Sequence, residues 1–520
     1  MSLLLALPLL PLAAALWFAA RPVRAPSTAG WVVALVAAFP VTVAALMAPD
    51  RIALPELLVM RDAALVLDPL ARAALLLFGG LWLAIGLLLT RPGVSDPPVV
   101  ALLVALSGTL ALSLAEGGPM VYAGMLAAGY GLYAVMAGES GGGWRSAGRT
   151  WVVLLVASDL LVFEMLLSST AHPTAGPYLP ALVMALFALV LRGGIPPAHG
   201  WLAPALGAVS LPTAVLLAAV PLGAAVFGGL KILPPAPPTV VLWCSVLGLV
   251  GAAWATVAGL AQVEARTTLA YATAATGALL LAGLPLGGTA AGGLAWPALA
   301  LLASCAVIPL LALQPAGWPR DFTVAVVLLV HGLAGGHAAA GVAATLPPAV
   351  ALLLPFATVA ATLLLTVAAR RTAVAKRAAE SLEAARVALI PLVLGVAGLL
   401  LAWLAEPPGF ASAWAAPVGI TLGLVAFRLM PVRTRPAVPP GDLLGPVERL
   451  VSYLLRRTRI LCRRNLARRR DRTAAWLRSC WDGRAWSRRV QRLDLVLRAW
   501  PATSLMMLLV AMSAAFLLAK

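Results

Sequence analysis

The 520-residue sequence predicts an all-α, polytopic membrane protein of about sixteen transmembrane helices, with a basic cytoplasmic segment before a last C-terminal span. Three observations predict it. Hydrophobic residues make up 62% of the chain and the mean hydropathy is +0.98, more than a soluble protein buries. Apolar runs of roughly 20 residues, the length that crosses a bilayer, recur throughout. Cations alternate between loops: Arg21 and Arg24, Arg91, Arg145 and Arg149, Arg266, Arg320, and Arg370 through Arg386 mark one side, while the other is poor in them apart from Lys231 and the balanced Arg51 and Arg61. The positive-inside rule then puts both termini outside a bacterial-type inner membrane and the basic segment in the cytoplasm.

In order, the spans are expected near 2–20, 30–47, 70–90, 98–115, 119–137, 150–168, 178–200, 212–232, 238–260, 266–286, 293–313, 322–343, 347–368, 387–404, 410–430 and 501–519. The first run follows no basic residue and precedes further spans, so it reads as a retained helix and not a cleaved signal. Between spans two and three, Leu67-Asp68-Pro69-Leu70 reads as a helix cap ahead of an apolar run. Cys244, Cys305, Cys462 and Cys480 show no metal-ligand spacing, and no glycine-rich phosphate loop is present, so neither a metal nor a cofactor is expected. No nucleophile–base set suggests a catalytic site of the chain's own.

The sixth span carries Asp159 and Glu164 among apolar residues, and acids inside a bilayer need a partner or a wet cavity. Their spacing turns them to different helix faces. The seventh run is interrupted by Arg192, Gly193, Gly194, Pro196 and Pro197, followed by His199 and Trp201, with Pro212 beyond. Proline removes donors and glycine frees the dihedrals, so the helix breaks here. A broken membrane helix bearing a cation and an imidazole is an ion-path candidate; a Pro-kinked structural helix with a snorkelling arginine is the rival reading. A buried Arg192 needs a counter-charge, and Asp159 or Glu164 is expected to supply it. His331 and His337 flank Gly332–Gly336; imidazole titrates near neutrality and can serve a half-channel, though a lone core histidine on an apolar helix is the commoner case.

From Pro431 to Trp500 the chain holds eighteen arginines against five acids, which is most of its formal +18. Leu450, Val451, Leu454 and Leu455 fall at helical spacing, and Trp476, Trp481 and Trp486 interleave with arginine. Amphipathic helices on anionic lipid are expected, not a nucleic-acid fold, since spans tether both ends.

The segment Pro197, His199, Trp201, Leu202 and Pro212 resembles the antiporter-like membrane subunits of respiratory complex I, Mrp-type cation/proton antiporters and membrane-bound hydrogenases. Arg192 stands where that family has lysine, and Pro204 lies one position past its second proline. Asp68, Lys231, and Glu264, Arg266, Ala270 and Tyr271 extend the resemblance over roughly residues 60–345. The resemblance implies two inverted five-helix repeats with discontinuous helices, 98–232 and 238–368, the second expected to break near Gly332–Gly336. Around them lie spans 1–3 (1–97), spans 14–15 (369–430), the basic segment (431–500), similar to the lateral helix of the largest such subunit, and the last span (501–520). It also implies a proton or monovalent cation as cargo and other membrane subunits as partners. Most of the family's charged line is missing, however: its positions fall on Ala128, Gly223, Ser304, Ile308 and Thr345. Two readings stay open, an ion path through the broken seventh helix or a non-conducting scaffold whose relay is lost.

Overall fold

A bilayer offers no water to backbone N–H and C=O groups, so a chain this apolar must satisfy them within helices. The computed structural model does so. It describes residues 3–20, 26–54, 63–90, 98–139, 142–171, 179–310, 318–344, 346–374, 382–405 and 415–429. The chain divides into two units; the first runs through Asp442, and all of the second, residues 57–59 and 443–520, lies outside the described residues together with the expected basic segment and last span.

The helices are α1 (Leu3–Ala20), α2 (Pro26–Leu46), α3 (Pro69–Leu89), α4 (Val99–Leu114), α5 (Gly118–Ala137), α6 (Arg145–Ala171), α7 (Leu179–Gly193), α8 (Leu202–Ala208), α9 (Leu211–Ile232), α10 (Pro238–Leu260), α11 (Ala265–Gly283), α12 (Ala291–Leu310), α13 (Trp318–Ala343), α14 (Pro348–Ala351), α15 (Pro355–Val374), α16 (Leu382–Ala405) and α17 (Ala415–Leu429). Among the described residues, eleven helical segments are long and apolar enough to cross a membrane and four more are shorter apolar helices. The protein is a multi-pass membrane protein.

At the middle sits α9. Every residue of its most apolar stretch is buried, and it packs against α3, α4, α5, α7 and α12. Asp68 caps α3, its Oδ1 accepting from the Ala71 N–H at 2.6 Å, so the cap reading of that motif holds.

Two features depart from the sequence reading. The interruption expected at Gly332–Gly336 is absent: α13 runs unbroken from Trp318 to Ala343. Those glycines instead admit neighbours, since a Cβ on Gly332 would meet Ile420 and one on Gly335 would lie 2.9 Å from Thr358 Oγ1. Past α13 the described chain is irregular, with the four-residue α14 preceding α15. The loops also form a small antiparallel sheet, β1 (Arg51–Ala53), β2 (Ala64–Val66) and β3 (Ala115–Glu116), with Arg51 opposite Val66 and Ala64 opposite Glu116. Arg51 Nε donates to Glu116 Oε2 at 2.6 Å across it, and Lys231 Nζ, at the end of α9, donates to the Ala115 carbonyl at 2.7 Å.

Candidate functional site: the broken helix and its buried ion pair

Helix α7 stops at Gly193, and the Ile195 N–H reaches back to the Val190 carbonyl at 3.2 Å. Gly194 has φ +62°, the left-handed region where a side chain is strained. Pro196 and Pro197, joined by a cis bond, carry the chain into one 3-10 turn, Ala198–Trp201, and then into α8. Pro212 does not contribute to this break; it sits in the first turn of α9, where a proline's missing donor is harmless.

The break is closed by aromatic packing. Trp201 is fully buried and stacks on Trp151 of α6, with centroids 4.5 Å apart and planes within 11°. A Cβ at Gly194 would lie 3.2 Å from the Trp201 ring. Gly194→Val therefore combines a strained φ with a ring clash and is expected to destabilise by about 2–4 kcal/mol, read as an earlier thermal midpoint in detergent. Gly194→Ala is expected to cost less.

Arg192 occupies the last turn of α7 and is 2% exposed. Three acceptors surround its guanidinium: Nη2 pairs with Asp159 Oδ1, Nη1 donates to the Met125 carbonyl at 2.8 Å, and Nε donates to Ser158 Oγ at 3.3 Å. The second oxygen of Asp159 accepts from the Tyr130 hydroxyl at 2.7 Å. Gly129 makes the space, since a Cβ there would stand 3.0 Å from Nη1. Arg192 is thus met by partners from α5 and α6, and Asp159 by Arg192 of α7 and Tyr130 of α5, the condition for keeping an ion pair at membrane depth.

Of the two acids the sequence offered, Asp159 is the counter-ion. Glu164, on another face of α6, is exposed and does not join the pair. His199 is 2% exposed and sets its ring edge-on to Tyr271 of α11, with centroids 5.7 Å apart. His331, 1% exposed, hydrogen-bonds the Leu301 backbone from α13, and His337 follows on the same helix, which packs on α11, α12, α15 and α17. The site therefore gathers Arg192 and Asp159, with His199 on the far side of the break and the α13 histidines in another helix group.

Sequence reasoning missed Tyr130, Ser158, Trp151 and the Met125 carbonyl. It also missed Glu139, just past α5, which accepts from the Ser210 and Thr213 hydroxyls at the start of α9. Beside it, Arg266 Nη1 donates to the Val209 carbonyl at 2.8 Å. These bonds tie the ends of α5, α8, α9 and α11 together next to the break.

Residues 150–308, running from α6 to α12, match the family model described as "NADH:quinone oxidoreductase/Mrp antiporter, TM". Over this segment, less than a third of the chain, the sequence is similar to that family. By sequence, no curated protein matches the chain. By fold, it is similar to a chain of the Mrp complex from Dietzia sp. DQ12-45-1b, with TM-score 0.67 and 17% identity, covering 96% of this chain. It spans only 63% of that Dietzia chain. A chain of the membrane-bound sulfane sulfur reductase, an archaeal respiratory membrane complex, gives TM-score 0.63 and 14% identity, covering 96% of this chain and all of the other. A chain of respiratory complex I from Thermus thermophilus gives 0.50 and 19%, covering 85% and 97%. At these identities the likeness is one of fold.

All the positions that the antiporter-like resemblance would charge carry neutral residues, and Ala128, Gly223 and Ser304 are closely packed. Ala128 is 1% exposed and lies so near Gly108 that a Cβ there would be 2.2 Å from the Ala128 nitrogen. A Cβ on Gly223 would come within 3.1 Å of Phe78. Ser304 gives its hydroxyl to the Ala300 carbonyl at 2.8 Å. Thr345 lies outside the described residues, as does the Ile308 side chain.

Proposed function

We propose that the chain is a membrane subunit of a proton- or monovalent-cation-translocating complex, with the ion path at the broken α7 and the Arg192–Asp159 pair as its fixed electrostatic element. The observation that carries this reading is that pair, held at the helix break with Tyr130 as a third member. A break at membrane depth is tolerated where protein or a wet cavity receives its carbonyls, and buried charges beside it set the potential an ion meets. Guanidinium keeps its proton, so Arg192 acts as a standing charge and not as a relay; Asp159 and His199 are the groups able to exchange protons nearby. His331 and His337 belong to the same proposal; Glu164, exposed on another face of α6, has no role in the path.

The domain reading goes with it: two inverted five-helix repeats, 98–232 and 238–368, flanked by 1–97 and 369–430, both termini outside, and 431–500 as a cytoplasmic segment on anionic lipid and neighbouring subunits. A second reading, a non-conducting scaffold of such a complex, is favoured by the neutral packing at Ala128, Gly223 and Ser304.

Flux through the intact complex in proteoliposomes separates the two. In complex that has assembled, Asp159→Asn, which keeps an amide oxygen for Arg192 but removes its counter-charge, is expected to change ion flux by roughly tenfold or more, the ratio produced by about 1.4 kcal/mol at the barrier. Unchanged flux with intact assembly, or no flux assignable to this subunit, selects the scaffold.

A further inference from the structure

Glu164 lies on the outer surface of α6, in line with Val153, Val156 and Leu160, all of them exposed. Leu179, Val183 and Phe187 of the adjacent α7 extend the same face. Its depth follows from the ion pair. The stretch Leu179–Ala208, long and apolar enough to cross a membrane, has its midpoint by count at Gly193–Gly194, next to Arg192, and Arg192 meets Asp159. Glu164 is five residues from Asp159, a shift of about 8 Å along the axis, well inside a hydrocarbon half-thickness of roughly 15 Å. The other exposed charges on described spans, Arg145, Arg149, Asp321, Arg370 and Arg428, lie within about a turn of a helix end and reach the headgroups. Glu164 makes no hydrogen bond or ion pair with a described residue. By contrast, the exposed face of α10, with Trp243, Leu247, Val250 and Trp254, is wholly apolar and suits lipid.

Resting on the reading above that the chain works within a membrane complex, we propose that the α6–α7 face is the docking surface for a transmembrane helix of a neighbouring, different subunit, which brings a lysine or arginine to Glu164. A carboxylate in hydrocarbon is retained where a partner satisfies it, and a cation on an otherwise apolar helix is the complementary chemistry. A second copy docking by the same face would set Glu164 against Glu164, so the contact is between unlike subunits.

The test uses the full complex extracted from its native membranes. Glu164→Gln and Glu164→Leu are expected to co-purify with one membrane subunit at least about tenfold less than the wild-type chain, and the matching control Val250→Gln on α10 is expected to keep it. Cysteine at Leu160, with Glu164 intact, is expected to cross-link to that subunit at a span bearing Lys or Arg. Undiminished co-purification of Glu164→Leu, cross-linking to lipid only, or cross-linking to a second copy overturns the proposal while leaving the complex-subunit reading in place. A wild-type chain that co-purifies with no membrane subunit overturns both.

Discussion

Arg192→Ala lowers the stability of the folded protein by about 3–5 kcal/mol, the cost of leaving one member of a buried ion pair uncompensated. Asp159 would keep only the Tyr130 hydroxyl, and the Met125 carbonyl and Ser158 would lose a donor. The thermal midpoint in detergent and the monodisperse fraction after extraction are the measurements. Removing both charges tests the cause. With Asp159→Leu added to Arg192→Leu, the loss is expected to shrink to about 1 kcal/mol or less, because apolar groups of similar volume replace a buried pair with little penalty. If the double variant is as unstable as the sum of the single ones, the pair is not what makes Arg192 necessary.

Trp201→Ala is the other large effect, at about 3–5 kcal/mol, as for burying a cavity where a large ring stood. The ring is fully buried, stacked on Trp151 at 4.5 Å and close to Gly194, so its removal opens the inner wall of the break. Neither indole N–H finds a hydrogen-bond partner among the described residues, so packing accounts for the stack. Trp201→Phe, which retains a ring against Trp151, is accordingly expected to lose less than half as much. Equal losses from Phe and Ala would place the contribution elsewhere. The comparison is made by thermal unfolding, with the break followed by protease access at residues 194–198.

Much of this was readable in the residues themselves. Gly193 through Pro197 punctuate an apolar run so strongly that the break could be placed near residues 192–197, and a buried arginine demands an acid, which the sixth span offered twice. Choosing Asp159 over Glu164 required knowing which face of α6 looks inward, and two acids on different faces of a helix apolar around both leave that undetermined. Tyr130 carried no signal, since an aromatic hydroxyl on an apolar helix follows no spacing rule. The glycines of α13 misled for a physical reason. Without an accompanying proline, glycine in a membrane helix need not break it, and Gly332 and Gly335 are small so that Ile420 and Thr358 can approach. The loop sheet escaped notice because strands of two or three residues leave no alternation to read.

The enclosed α9 bears on how the chain matures. It is apolar on every side with no lipid-facing surface, yet lipid tails would solvate it as readily as its neighbours do, so hydrophobicity draws it into the bilayer and not into the bundle. Its capture rests on shape: Gly223 receives Phe78, Gly228 receives Met125 and Gly229 receives Leu189. Biogenesis therefore has a stage at which this helix is inserted but not yet wrapped, and a substitution that alters contour at equal greasiness would stall the chain there.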